Sequence, residues 1–255
     1  MPYATWKDAG KDIKIHYEVV GNPDGETIIF HHGNGNTGHN WIDLGYADRL
    51  GDDFQLVLID SRGYGKSSKP HDPAAYSLKS RAQDTIAVLD DLKFDKVHCL
   101  GGSVGGSMCF ILARFFPERF KSFIFATPYF IQFDDNCKKA LVEGSAACLQ
   151  VLENKYGKFE KSFIRQTFLA NDAKALLAAN TSEWFDYHDY IQYVKVPSMI
   201  YAGSEEVSVP ALRELATQLP DCELHVIPNT AHAEAYWDGS VNAPLIRDFV
   251  NKVSR

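Results

Sequence analysis

The chain has 255 residues, 45% of them apolar and 23% charged, which is enough for a packed core and argues against disorder. A net charge of -7, from 26 basic and 33 acidic side chains with no Lys/Arg cluster, argues against a nucleic-acid partner. No apolar stretch approaches the roughly 20 residues of a membrane helix, and the first twenty residues interleave charges such as Lys7, Asp8 and Lys14 with apolar positions, unlike a signal peptide. The odd, scattered set Cys99, Cys109, Cys137, Cys148 and Cys222 lacks C-x-x-C spacing, so reduced thiols in a cytoplasmic protein without structural zinc are expected.

In chain order, Ile13, Ile15, Tyr17 and Val19 alternate in the strand manner, and residues 21–25 supply turn types, so the first twenty residues predict an edge hairpin. Residues 27–32 read as a short buried strand, 41–50 as a helix and 55–60 as a second buried strand. Strand, helix, strand implies a parallel sheet. The rhythm continues with a helix at 81–92 (Ile86, Leu89 and Leu92 on one face), a strand at 97–100, a helix at 108–116 and a strand at 120–126. From 129 to 195 the spacing turns helical throughout, as in Leu141, Cys148, Leu149 and Leu152, then Trp184, Tyr187, His188 and Ile191. A helical lid at 129–195 inserted in a core of 1–128 and 196–255 is the expected domain organisation. The sheet resumes with strands at 198–202 and 223–227, a helix near 212–219 between them, and a closing helix at 243–253.

Of two nucleotide-like patterns, one is disfavoured and one fails. Gly33 to Gly38 fits G-x-G-x-x-G after a strand, with Asp60 ending the next strand, but two histidines precede it and no apolar helix follows promptly. Gly65-Lys66-Ser67 lacks the P-loop glycine, since Asp60 stands there. No cofactor and no metal are expected.

Gly101-Gly102-Ser103-Val104-Gly105 lies between a strand and a helix. A chain that reverses so sharply needs small neighbours and leaves its serine exposed at the sheet edge. A serine hydroxyl needs a base within hydrogen-bond reach and an acid to orient that base. His232 follows the last strand, and Glu205 and Glu206 follow the strand before it, giving the order Ser, acid, His.

These stretches together resemble the α/β-hydrolase fold superfamily, over nearly the whole chain apart from the lid. His32-Gly33 is similar to the family's oxyanion-loop motif, residues 60–67 to its D-x-R-G-x-G-x-S turn, and residues 101–106 to its nucleophile elbow. The resemblance implies an α/β fold with a mostly parallel eight-stranded sheet flanked by helices. It implies Ser103 as nucleophile, His232 as base then acid, and Glu206 as orienting carboxylate, since the family's acid falls three residues after a strand-end glycine (Gly203) and four before a proline (Pro210). The family more often has Asp there, and Glu205 stays open. Asn34 and Val104 would supply the oxyanion N–H groups. Asp60 and Arg62 are expected to brace their turn.

The expected function is a cofactor-independent serine hydrolase, of the esterase/lactonase type, cleaving a small carboxylic ester or lactone through an acyl-enzyme on Ser103. Carbon-carbon bond hydrolysis or peracid formation by the same residues is one alternative, and a ligand receptor with slow hydrolysis is another. Trp41, Tyr129 and Trp184 are candidate substrate contacts, suggesting an apolar or aromatic small-molecule substrate. The loops carrying these residues show no Arg or Lys to clamp a charged one. Oligomeric state is not readable from the sequence.

Overall fold

The computed structural model describes residues 2–128, 130 and 132–255. Eight strands form one sheet in the order β1-β2-β4-β3-β5-β6-β7-β8. β1 (Tyr3–Asp8) and β2 (Lys11–Gly21) make the expected edge hairpin, turning at Ala9-Gly10, where both residues have positive φ. β2 also pairs antiparallel with β4 (Phe54–Ile59). From β4 onward, through β3 (Glu26–His31), β5 (Val97–Gly102), β6 (Phe120–Ala126), β7 (Ser198–Gly203) and β8 (Cys222–Ile227), every pairing is parallel. β5 and β7 are buried along their whole length, as strands covered on both faces must be.

Alternation along the strands feeds two cores. Ile29, Val57, Cys99, Phe125 and Ile200 face one; Phe30, Leu58, Leu100, Ile124 and Tyr201 face the other. The first is covered by α3 (Leu78–Asp91) and α4 (Gly106–Phe115), which contribute Leu89 and Phe110. The helix expected at 41–50 is instead two short ones, α1 (Asn40–Asp43) and α2 (Tyr46–Leu50), because Gly45 between them takes φ +77°.

Between β6 and β7 lie α5 (Asp135–Glu143), α6 (Ser145–Tyr156), α7 (Ser162–Ala170) and α8 (Ala173–Thr181). They share a small core of their own, with Leu141, Cys148, Leu149, Phe168 and Leu176 packed against Tyr64. The helical spacing expected up to residue 195 does not persist. After Thr181 only single 3₁₀ turns occur, at Tyr187–Asp189 and Ile191–Tyr193. Tyr187, Tyr190 and Tyr193 recur every three residues, which suits a three-residue turn better than an α-helix, and all three pack on the main core. The chain closes with α9 (Val209–Gln218), α10 (His232–Trp237) and α11 (Gly239–Val253). No helix among the described residues is long and apolar enough to cross a membrane.

Candidate active site

Ser103 stands between β5 and α4 with φ +52°, a left-handed backbone unusual for a non-glycine residue. Three glycines make that turn sterically possible. A Cβ on Gly101 would fall on the Gly105 carbonyl, one on Gly105 on the His31 carbonyl, and one on Gly102 on the Tyr236 ring. The turn therefore rests directly on the end of β3, and the Ser103 side chain is left facing the loops beyond the sheet's C-terminal edge.

Two of those loops bring Glu206 and His232 into line with Ser103. Ser103 Oγ lies 2.9 Å from His232 Nε2, and His232 Nδ1 lies 2.9 Å from Glu206 Oε2. Glu206 is held from its other side: Oε1 accepts the Gly203 N–H at 2.9 Å, and Oε2 is 3.4 Å from the Ser208 hydroxyl. Its side chain is only 4% exposed. Glu205 is exposed, and its backbone N–H bonds the Thr230 carbonyl at 3.0 Å, tying acid loop to base loop. Gly203 permits that approach, since a Cβ there would strike the same Thr230 carbonyl. His232, expected in a loop, is instead the first residue of α10, where the Glu234 carboxylate accepts the Ala231 N–H in a capping arrangement.

The loop expected to supply an oxyanion N–H follows β3. A Cβ on Gly33 would sit 3.2 Å from Ser103 Cβ, so loop and serine are in contact. Gly33 N–H donates to the Tyr236 hydroxyl at 3.0 Å, and burial pushes the Tyr236 pKa up to about 12, keeping that hydroxyl protonated. His32 donates from Nδ1 to the Gly33 carbonyl and accepts the Ser61 N–H at Nε2, which fixes its neutral tautomer. Burial lowers the His32 pKa in keeping with that form, and pushes His31 down to about 3. Neither the Asn34 nor the Val104 N–H is used by a turn or loop hydrogen bond among the described residues. The Asn34 side chain is fully engaged, donating to Asn180 Oδ1 on α8 and accepting from the Tyr64 hydroxyl.

Asp60 and Arg62 brace the turn after β4. Asp60 accepts the Gly38 and Lys66 N–H groups, faces His16 Nδ1 and is 3% exposed, so it is not presented to a ribose. Arg62 forms a fork onto both oxygens of Asp84 and also meets Asp8. Among the described residues no group of three or more His, Cys, Asp or Glu could hold a metal.

A cavity of about 60 Å³ adjoins the elbow, lined among others by Asn34, Val104, Met108, Ile111 and Trp184. Trp184 anchors its indole N–H on the Phe130 carbonyl at 3.0 Å. Trp41 is a correction to the sequence reading. It is 1% exposed and packed edge-on against Phe30, Tyr46 and Tyr236 beneath the elbow, away from the cavity. Its apolar ring fills the core left open by Gly102. Tyr129 lies outside the described residues. The sequence reading missed Tyr236 and Asn180, and it missed Arg81, a cation in the cavity wall. Tyr236 follows His232 by one helical turn, a signal legible only once α10 is known. Arg81 comes from α3, far from every loop that carries a motif.

A family model described as alpha/beta hydrolase fold matches residues 26–145. The proline iminopeptidase of Lacticaseibacillus rhamnosus is 24% identical, over 87% of this chain and 89% of the relative. A 2-hydroxy-6-oxononadienedioate/2-hydroxy-6-oxononatrienedioate hydrolase of Paraburkholderia phymatum is 25% identical, over 92% of this chain and 90% of the relative. Among solved structures, a thermophilic esterase from Thermogutta terrifontis superposes with a TM-score of 0.82 at 20% identity, covering 98% of this chain and 97% of the other.

Proposed function

We propose that this chain, which has the α/β-hydrolase fold, works as a cofactor-independent serine hydrolase on a small carboxylic ester or lactone. The observation that carries the reading is the unbroken line Ser103 Oγ, His232, Glu206, with 2.9 Å at each step. Ser103 Oγ attacks the carbonyl carbon as His232 Nε2 takes its proton, and Glu206 stabilises the imidazolium through Nδ1–H. The N–H groups of Asn34 and Val104 receive the developing oxyanion. His232 then hands its proton to the leaving alcohol, and a water, deprotonated by the same imidazole, releases the acid from Ser103.

The relatives support hydrolysis more than they support one substrate, since their names cover a peptidase, a dienedioate hydrolase and an esterase. An ester or lactone is the reading favoured here because it asks nothing of the site beyond an activated serine, an oxyanion pocket and a base. Placed between β6 and β7, the four helices α5 to α8 act as a lid over that pocket, with Trp184 as a substrate contact.

A fluorophosphonate probe followed by peptide mapping tests this directly. Modification at Ser103 is expected, and Ser103→Ala should lower ester turnover by about 10⁵- to 10⁶-fold. A folded protein that is not labelled, or full ester hydrolysis by Ser103→Ala, would overturn the reading.

A further inference from the structure

Three polar groups in the wall of the cavity beside the elbow have hydrogen-bonding capacity that the protein does not use. Ser107, in the first turn of α4, is 2% exposed and its Oγ has no partner among the described residues. His31 is equally buried; its Nε2 meets Thr85 Oγ1 at 3.3 Å, while Nδ1 has none. Arg81 enters from the first turn of α3. Its Nε donates to the Tyr76 carbonyl, and Nη2 to the Ala179 carbonyl and the Ser182 hydroxyl. All three acceptors are neutral. Nη1 has no hydrogen bond, and no carboxylate forms an ion pair with the guanidinium among the described residues.

Asp84, the carboxylate whose charge bears on Arg81, is spent elsewhere. Both oxygens of Asp84 lie on Arg62, and Glu183 Oε2 accepts the Leu78 N–H. Among the described residues Ser107 Oγ and His31 Nδ1 are buried without a partner, and Arg81 is half-buried with no carboxylate beside it to balance its charge. Chance would scatter such groups. Here a cation, a hydroxyl and an imidazole line one cavity, together with Asn34 and Val104. Arg81 donates only, Ser107 can donate, and His31 Nδ1 carries a proton when the Thr85 hydroxyl donates to Nε2. Such a set is complementary to an acceptor-only group of negative charge.

Size agrees with this. A volume of about 60 Å³ is room enough for a group the size of a carboxylate. The planar guanidinium matches a carboxylate's geometry, and the rings of Tyr76 and Trp184, 5.7 and 5.9 Å from its carbon, hold it in place. We propose that the substrate of this site is an ester or lactone bearing a free carboxylate close to the scissile carbonyl, received by Arg81 with Ser107 and His31. The inference rests on the serine-hydrolase reading above and differs from the expectation of an apolar or aromatic substrate.

The test compares monomethyl glutarate with methyl valerate, near-isosteric esters that differ in a terminal carboxylate, alongside fluorophosphonate labelling of Ser103. In the unaltered protein kcat/KM should favour the carboxylate ester by roughly 30-fold, mostly through KM, and glutarate should compete while neutral dimethyl glutarate does not inhibit comparably. Arg81→Gln should bring the ratio to about one. Because Arg81 also ties α3 to α8, Ser107→Ala serves as a second variant: it breaks no protein hydrogen bond, and should lower the ratio about 3- to 5-fold. Labelling at Ser103 with equal turnover of both esters, or a ratio unmoved by both substitutions, overturns the carboxylate inference and leaves the hydrolase reading standing. Absence of labelling and of turnover on either ester overturns both.

Discussion

The sheet with its three motif loops and the helical insertion between β6 and β7 meet over the same cavity, yet they are built differently. In the sheet frame, position is set by backbone against backbone. Gly101, Gly105 and Gly203 each stand where a Cβ would strike a carbonyl, so the elbow, the end of β3 and the acid and base loops are locked by sterics. The insertion has its own small core, and reaches the oxyanion loop through a few side chains. Asn171 Nδ2 bonds the Gly35 carbonyl, Asn180 meets Asn34, and Thr167 meets Asn40. The line from Ser103 to His232 and Glu206 thus sits on the sterically locked part, and the cavity wall takes Ala179 and Trp184 from the insertion.

The largest expected effect tests the frame. Glu206→Ala should lower kcat by about 10⁴-fold with Ser103 still in place, because the imidazole loses both its orientation and its counter-charge. Glu205→Ala, at an exposed side chain, should stay within about twofold. A large loss from Glu205 and none from Glu206 would reassign the acid. Next comes one substitution made on each side of the comparison. Gly203→Ala drives a methyl into the Thr230 carbonyl and separates acid loop from base loop, so kcat should fall by about 100-fold with KM little moved. Gly35→Ala, at φ +77°, drives a methyl into the Phe168 ring on α7. It should cost about 2 kcal/mol of stability and shift KM about 5- to 10-fold, with kcat less affected. Steady-state kinetics on one ester decides the matter, and equal kcat losses would erase the distinction between frame and insertion.

The same contrast explains what the sequence discloses. Glycine spacing around Ser103, the acid after Gly203 and the histidine after β8 are local patterns, because the backbone constraints that demand them are local. The strands could be read from alternation and short apolar runs for the same reason. Residues 182–195 were misread because aromatic residues three apart satisfy a helical template loosely, and only packing on the main core selects 3₁₀ turns. Trp41 carried no mark separating a core ring from a cavity ring; its place depends on the space above Gly102. Arg81, Ser107 and His31 come together from α3, α4 and β3, and what joins them is the bonds they do not make. No spacing rule encodes that.

Acid separates the two regions by a smaller effect. Burial pushes the His31 pKa down to about 3 and lowers that of His32, whereas in the unfolded chain both titrate near ~6.5. Below that pH the unfolded chain binds protons that the folded frame refuses, so stability is full above about pH 6.5 and falls as pH drops towards about 3. Below about pH 6 the slope from His31 is about 1.4 kcal/mol per pH unit, and His32 adds to it in the same direction. In the insertion, Asp134 caps α5 and pairs with Lys155, which, with the Cys137 N–H, holds its pKa at about 2. Its unfolded value is ~3.9, so its contribution is complete above about pH 4 and lost only below; with a partly exposed carboxylate it is also small. Urea titrations between pH 7 and 4.5 should therefore show a slope that His31→Gln flattens by about 1.4 kcal/mol per pH unit. Asp134→Asn should lower stability by a constant amount over that range and leave the slope alone. A slope unchanged in His31→Gln would place the acid-sensitive proton uptake outside the oxyanion strand, with His98 on β5, whose pKa burial pushes down to about 4, as the next group of the frame to replace.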